Sequence, residues 1–434
     1  MKKSDKIGFW LSTSLVVGNM TGSGIFLLPA ALAVYGGISI FGWIFTLLGS
    51  LFLALVFSRL SRIIKSAGGP YTYSREGFGD FAGFIVAWGY WISIWCGNAA
   101  IAVAGVGYLS VFFPTLKDDI FLSALIAISA IWLFSLINTR SIKSVGFVQL
   151  ITTILKILPL ILLGTFGFLY FDSDNLNPMN LSSESNFNAI TTTAALTLWA
   201  FLGLESATIP ADKVSEPSKT IPRSTIAGLL IAAFMYISSS MAIMGIISPA
   251  ELRNSSAPFS DAALASWGSW AYYLVGGGAV ISCFGALNGW ILLQGQIPLA
   301  AAHDKLFPSV FKKLSPKGIP VAGIFIASIL ASVLVGMNFT KGLVKMFSFI
   351  IMLSTFTCLL PYLISSLSEL ALGIRRKGLN NRKYLVVTGM LSIPAFLYSL
   401  WAVTGLGIDI ILWGMLLLAA GVPVFILMKV NRKK

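Results

Sequence analysis

Gly18-Asn19-Met20-Thr21-Gly22-Ser23-Gly24-Ile25-Phe26 falls about two turns or more inside the first apolar run of the chain, where a membrane-spanning helix should be most regular. Three glycines and three small polar residues in nine positions give poor helix propensity. The backbone groups freed there would have no water to bond in hydrocarbon. Irregular backbone at that depth is tolerated where it lines a cavity, and the N-terminus of a half-helix attracts an anionic group. The stretch therefore reads as half of a substrate site at mid-membrane.

The rest of the composition agrees with a membrane setting. Of 434 residues, 56% are hydrophobic and only 11% charged, with a mean hydropathy of +0.86. A soluble core cannot hide that much apolar surface, so the chain reads as a polytopic membrane protein whose first partner is the lipid bilayer. The net charge of +14 is scattered through short loops rather than gathered on one face, which excludes nucleic acid as the partner and favours the anionic cytoplasmic leaflet. Cys96, Cys283 and Cys358 lie in apolar runs without Cys-x-x-Cys spacing and read as packed free thiols. The single histidine, His303, sits beside Asp304 and Lys305 at the end of a run and reads as solvated. No metal site and no cofactor are expected. Met1-Lys2-Lys3 before an apolar run resembles a secretory leader, but the run continues through Asn19, Thr21 and Ser23 into a long second half, as an uncleaved first span does.

Twelve apolar runs are long enough to cross a bilayer, at about 8 to 35, 38 to 64, 81 to 113, 120 to 138, 144 to 171, 189 to 211, 222 to 247, 267 to 299, 320 to 337, 342 to 368, 384 to 403 and 406 to 428. With the N-terminus inside, nearly all basic loop residues are cytoplasmic, from Lys2, Arg62 and Arg75 through Lys143 and Lys219 to Lys312, Arg375 and Lys434. Only Lys117, Arg253, Lys341 and Lys345 fall outside, among Asp118, Asp172, Glu184, Glu251, Asp261 and Asp409. This asymmetry predicts a multi-pass protein of the cell membrane with both termini cytoplasmic. Loops are short, so residues 1–434 read as one integral membrane domain.

The sixth run reads Trp199-Ala200-Phe201-Leu202-Gly203-Leu204-Glu205-Ser206, again with a glycine and an acid at mid-run. Five spans separate it from the first, so the two helices run in opposite directions. Interrupted segments in matching places of two inverted halves point to a transporter site at the midplane.

Two ionisable residues fall in the hydrocarbon. Lys156 lies about 18 Å along the fifth span at 1.5 Å per residue, too deep to snorkel. A charge there costs about 2.5 to 3.5 kcal/mol on insertion scales, so it faces the bundle interior or a wet cavity. It reads either as a structural lysine on the carbonyls of a broken helix, or as a coupling group whose ammonium replaces a cation beside Gly22. Glu205, just past the second break, reads either as a carboxylate bound to freed backbone N–H groups or as a gate and substrate-sensing residue. Glu369 is placed close enough to the inner end of the tenth span to reach water. Tyr90, Trp199, Trp290, Phe347 and Tyr362 each neighbour a polar or small mid-span residue. Singly each reads as packing; together they would wall a cavity suited to an ammonium or guanidinium. Asn98 adds a mid-membrane amide that needs partners.

In these residues the chain resembles the amino acid, polyamine and organocation transporters, and within them the exchangers of arginine/agmatine type. The resemblance runs from about Ile7 to the tenth span and thins after Gly373. It is carried by Gly18 through Ala30, Gly68-Gly69-Pro70-Tyr71-Thr72-Tyr73, Tyr90-Trp91 leading to Gly97-Asn98, Gly105-Val106-Gly107-Tyr108-Leu109-Ser110, Leu198 through Ala207, and Pro361-Tyr362. It implies an all-α, LeuT-like fold of inverted five-helix repeats, with helices 1–5 at about 8–171, helices 6–10 at about 189–368, broken helices 1 and 6, and peripheral helices at about 384–428. It also implies alternating access and a homodimer. By similarity, amides around Ser23 and Gly24 would hold a substrate carboxylate, and carbonyls of Met20, Trp199 and Leu202 its amino group. Trp290 would stack on the side chain, Trp199 would act as a lid, and Asn98 with Ser354 would bond the far end of a guanidinium. Tyr90, Glu205 and Tyr362 would close the cytoplasmic gate.

Ser93, Ile94, Ile101 and Ala286 depart from that subtype near the side-chain pocket, and Lys156 stands where the subtype is apolar, while proton-coupled and exchanger relatives carry a lysine. The expected function is a secondary active amino-acid transporter, an antiporter of arginine/agmatine type, with an amino acid or amine as substrate. The alternatives are a proton-coupled permease for neutral amino acids and a membrane amino-acid sensor. An intramembrane enzyme would need acid, base or metal groups meeting at one depth, for which Lys156 with Glu205 is a thin set, so no enzyme is expected.

Overall fold

A computed structural model of the chain describes residues 7–21, 24–64, 68–139, 157–208, 214–377 and 382–433. Within them are ten helices long and apolar enough to cross a membrane, and one bent pair that makes an eleventh span. The fifth of the twelve expected spans is described only in its second part, Ile157–Tyr170. Helices satisfy every backbone group within the segment, which hydrocarbon demands. The described residues contain no strand ladder, only an isolated parallel bridge between Ile7 and Val214.

The first half comprises α1 (Phe9–Met20), α2 (Gly24–Leu32), α3 (Ser39–Ile63), α4 (Pro70–Phe78), α5 (Asp80–Leu109), the short α6 (Thr115–Asp118) and α7 (Ile120–Asn138), then α8 (Ile157–Tyr170). The second comprises α9 (Asn186–Phe201), α10 (Pro217–Ile246), the short α11 (Pro249–Leu252), α12 (Pro258–Trp267), α13 (Ser269–His303), α14 (Val321–Asn338) and α15 (Leu343–Lys377). Two further spans follow: α16 (Arg382–Thr404), then α17 (Ile408–Ala419) continued by α18 (Gly421–Lys433).

The halves repeat each other turned over. After the second span comes α4, and after the seventh comes α12; because those spans run oppositely, the two short helices lie on opposite membrane faces. Each opens with proline at its first turn, where the missing N–H costs nothing. Each ends at a glycine of the same conformation, Gly79 at φ 87° and ψ −173° and Gly268 at φ 86° and ψ −172°, which caps the long helix that follows. Only glycine enters that region without strain. Packing obeys the same exchange: α1 lies on α10 as α9 lies on α3, α5 crosses α13, and α14 lies on α5 as α7 lies on α13. The inverted five-helix repeat is thus present in both local turns and long-range packing.

Burial ranks the spans. In α5, 94% of the apolar window is buried, against 28% in α16 and 22% in α17–α18, so α5 is the axis and the last two spans are peripheral. Small residues let its neighbours approach, as is usual between helices in a membrane. Gly89 abuts the carbonyl of Thr357, where a Cβ would stand 2.9 Å away. Pro361, four residues on, leaves that carbonyl without its helical donor.

Glu369 departs from expectation. It does not reach water: the side chain is fully buried and ion-paired to Arg59 of α3, with Ser392 donating at 2.5 Å to its other oxygen. Arg59 also donates to Thr388 at 2.6 Å and lies over the Tyr384 ring. A carboxylate this near a helix end is held by a cation 310 residues away in sequence, which ties α3 to α15 and α16.

Candidate functional site

The two breaks meet. α1 ends at Met20, and Thr21, the next residue, turns its hydroxyl back to the Val17 carbonyl. Gly24 opens α2, which with α1 makes a bend of 43°. In the sixth span α9 ends at Phe201, the chain turns through Leu202 to Glu205, and a short 3-10 turn follows at Ser206–Thr208. Gly203 takes φ 101°, and a Cβ there would lie 3.4 Å from the backbone carbon of Asn19. Glycine is required by its conformation and allows the two broken backbones to touch.

Against this junction lies a narrow cavity of about 30 Å³ lined by Asn19, Met20, Tyr90, Ser93, Ile94, Gly97, Ile101, Trp199, Ala200, Leu202, Glu205, Trp290 and Cys358. Its residues on α5 recur at helical spacing from Tyr90 to Ile101, so one face of the axial helix forms a wall. The space suits water and not an amino acid, so admission of a larger solute requires a side chain to move. Trp199 is one of the large side chains in its wall. Its indole edge lies over Gly97, where a Cβ would approach Cη2 to 2.8 Å.

Glu205 is the only carboxylate in that lining among the described residues. The Tyr90 hydroxyl donates to Oε1 at 2.6 Å and the Tyr362 hydroxyl to Oε2 at 2.8 Å. Each oxygen thus meets a tyrosine hydroxyl, one from each of two neighbouring helices. The knot joins α5, α15 and the sixth-span break. A second knot sits at the other end of α5, about 27 Å away at 1.5 Å per residue. There the Tyr108 hydroxyl donates to the Phe26 carbonyl of α2 at 2.7 Å and accepts from the Phe259 N–H of α12 at 3.2 Å. The Phe26 and Phe259 rings pack edge to face at 5.1 Å. The cavity is closed between the two knots.

The residues singled out by sequence divide into groups. Met20, Tyr90, Trp199, Leu202, Glu205 and Trp290 line the cavity together, and Tyr362 reaches it through Glu205. Asn98 and Ser354 are buried one layer back, outside the lining. The Asn98 amide donates to Gln294 Oε1 at 2.7 Å, while its own Oδ1 has no partner among the described residues. Ser354 donates to the Ser93 carbonyl at 2.7 Å. Phe347 is packed in the core and does not line the cavity. Ser23 and Lys156 lie outside the described residues, while Gly24 stands at the first position of α2. Cys358, read only as a packed thiol, is a free thiol in the wall.

Gln294 escaped sequence reading although an amide in the middle of an apolar run was there to be seen. It is a hub: its Nε2 donates to Ser328 at 2.8 Å and to the Ile324 carbonyl at 3.0 Å. Its carbonyl, deprived of a helical donor by Pro298, accepts the Trp91 indole N–H at 3.0 Å.

Two broken helices of opposite direction meeting at a closed midplane cavity, within inverted repeats, define a membrane transporter. Residues 7–427 match the sequence profile of the family described as Amino acid permease. Similar proteins include the putrescine transporter PotE of Haemophilus influenzae, 35% identical over 95% of this chain and 94% of that protein. The cadaverine/lysine antiporter of Escherichia coli strain K12 is 33% identical over 89% and 87%. The arginine/ornithine antiporter of Pseudomonas aeruginosa is 31% identical over 98% and 91%. Among solved structures, the Eremococcus coleocola manganese transporter superposes with a TM-score of 0.60 over 98% of this chain and 94% of that one; at 14% identity it shows the shared fold alone. The chain belongs to the amino acid permease family. It is a multi-pass transporter and not an enzyme.

Proposed function

We propose that the protein is an antiporter that exchanges a cationic amino acid for an amine, with the midplane cavity opened alternately to each side. One observation carries this reading: among the described residues a single charged group, the carboxylate of Glu205, stands in the wall of a cavity faced by Tyr90, Trp199 and Trp290. An acid among aromatic faces attracts an ammonium or guanidinium and gives little to a neutral side chain. Similarity to carriers of putrescine, cadaverine with lysine, and arginine with ornithine supports the same class. Arginine with agmatine is the pair the sequence favours, to be measured beside those three.

In this reading Gly24 and its neighbours receive the substrate carboxylate at the start of α2, and the carbonyls of Met20, Trp199 and Leu202 receive the amino group. Trp199 swings off Gly97 as the lid, Trp290 stacks, and Asn98 and Ser354 meet the far end of the side chain. The Glu205 knot opens the cytoplasmic path and the Tyr108 knot the outer one, so that only one is released at a time. Residues 1–434 work as one domain, helices 1–5 against helices 6–10 with the last two spans outside, and both termini cytoplasmic.

Counterflow in proteoliposomes tests it. Vesicles loaded with arginine, agmatine, lysine, cadaverine, ornithine or putrescine should accumulate labelled cationic substrate, and empty vesicles should not. Uptake of a neutral amino acid into empty vesicles driven by a pH gradient would instead establish the proton-coupled permease to which Lys156 points. Binding without flux would make the protein a sensor.

A further inference from the structure

A second cavity, sharing no lining residue with the first, opens between α14, α15 and α17, with buried Trp95 of α5 as its back wall. It measures about 330 Å³ and is lined by apolar side chains and Asn338, with one cation, Lys341, at its rim among the described residues. The crevice follows α14 from Leu330 to the turn at Lys341, about 17 Å at 1.5 Å per residue. That is close to half of a hydrocarbon core of about 30 Å, the depth of one leaflet. Its walls present Leu334 on one side and Trp413, 46% exposed, on the other.

Lys341 is held at this rim. Its ammonium lies 3.9 Å from the centre of the Phe349 ring, itself part of the lining. No carboxylate stands within ion-pair distance of it among the described residues. A lysine stem lying along apolar surface with its charge at the membrane edge is placed for a headgroup phosphate.

We propose that this crevice is a specific site for one anionic phospholipid, with an acyl chain laid along Leu330 and Leu334 as far as Trp95 and the phosphate on Lys341. Depth, apolar lining and the sign of the single rim charge all match that occupant. The lipid joins α17 to the core helices α14 and α15, a contact the protein side chains leave partly open.

Native mass spectrometry of the full chain tests this after equilibration with equal amounts of dioleoyl-phosphatidylglycerol and dioleoyl-phosphatidylcholine. The wild type should retain one phosphatidylglycerol with at least a fivefold preference over phosphatidylcholine. Lys341→Gln should abolish the preference while the retained lipid remains. Leu334→Trp, which fills the crevice, should remove that lipid; Val333→Trp on the exposed wall replaces it if Leu334→Trp aggregates. Both changes together support the site. A preference unaltered in Lys341→Gln, or a lipid still retained in the crevice-filling variant, overturns it. So does a fall in dimer content with unchanged lipid in the crevice-filling variant, which would make the occupant a second copy of the chain.

Discussion

Gly97 and Trp199 are in contact closer than any side chain at position 97 would allow: a Cβ would stand 2.8 Å from the indole Cη2. A glycine on the axial helix at that point leaves room for the indole. Gly97→Ala should raise intrinsic helix propensity by about 1 kcal/mol while overpacking the Trp199 face by about 1 to 3 kcal/mol. The thermal midpoint should therefore move by only a few degrees, whereas counterflow should fall about tenfold because the lid can no longer close over substrate. Equal loss of stability and transport would count against a lid at Trp199.

Glu205→Gln keeps the volume of the side chain and removes its charge. Hydrogen bonds to a charged group contribute about 1.5 to 3 kcal/mol, so affinity for arginine, lysine or a diamine should fall about 10- to 100-fold. Binding of a neutral amino acid should be little changed. Tyr90→Phe and Tyr362→Phe each remove one donor, and a double-mutant cycle with Glu205→Gln should give non-additive losses in a direct binding assay.

The Asn98 Oδ1 is buried without a partner among the described residues, while Nδ2 is fixed on Gln294. If this oxygen serves substrate, Asn98→Ala should weaken binding of long cationic substrates about tenfold and spare short ones. Gln294→Leu should act indirectly by freeing Asn98, lowering thermal stability as well as affinity. Titration calorimetry across substrates of rising chain length separates the two.

The two partners of the Arg59–Glu369 pair should not be equivalent. Glu369 is fully buried and Arg59 is 19% exposed and backed by Tyr384. Arg59→Met strands a buried carboxylate, a loss of the kind that costs about 3 to 5 kcal/mol. Glu369→Gln leaves a cation that can reach water and should cost clearly less. Thermal unfolding in detergent gives the order directly.

Asp261, in α12 outside the spans, has its carboxyl pushed above the usual range, chiefly by burial, with Ser255 and Lys117 opposing and Glu251 adding to the rise. A carboxyl raised in the folded state favours folding while protonated, and that contribution fades as pH climbs through its folded value. Asp261→Asn should therefore raise the thermal midpoint at neutral pH relative to wild type and do little at acid pH. A benefit confined to acid pH would refute the assignment.

What the sequence discloses here follows the cost of breaking rules in hydrocarbon. Glycines at 18, 22, 24 and 203 and an acid at 205 are conspicuous because each violates what a lipid-embedded helix needs, and the structure brings both breaks to one cavity. Pairings between distant partners leave no local mark. Glu369 looked solvent-accessible because only its distance from a helix end is visible in sequence; Arg59 is brought to it by folding. Asn98 announced a need for partners, but which amide would meet it depends on how α5 crosses α13. The packed α4 and α12 were hidden by being short and lying between runs.

Gly79 and Gly268 hold the same turn at opposite faces of the membrane. The architecture thus has no intrinsic top or bottom: whatever arrangement one half adopts around its end of the site, its counterpart can adopt at the other. Two end states built by trading roles between matching halves would lie closer in free energy than states built from unrelated halves. A carrier that must run in either direction, according to which solute is abundant, needs that near-degeneracy. In this chain the duplication itself would supply it.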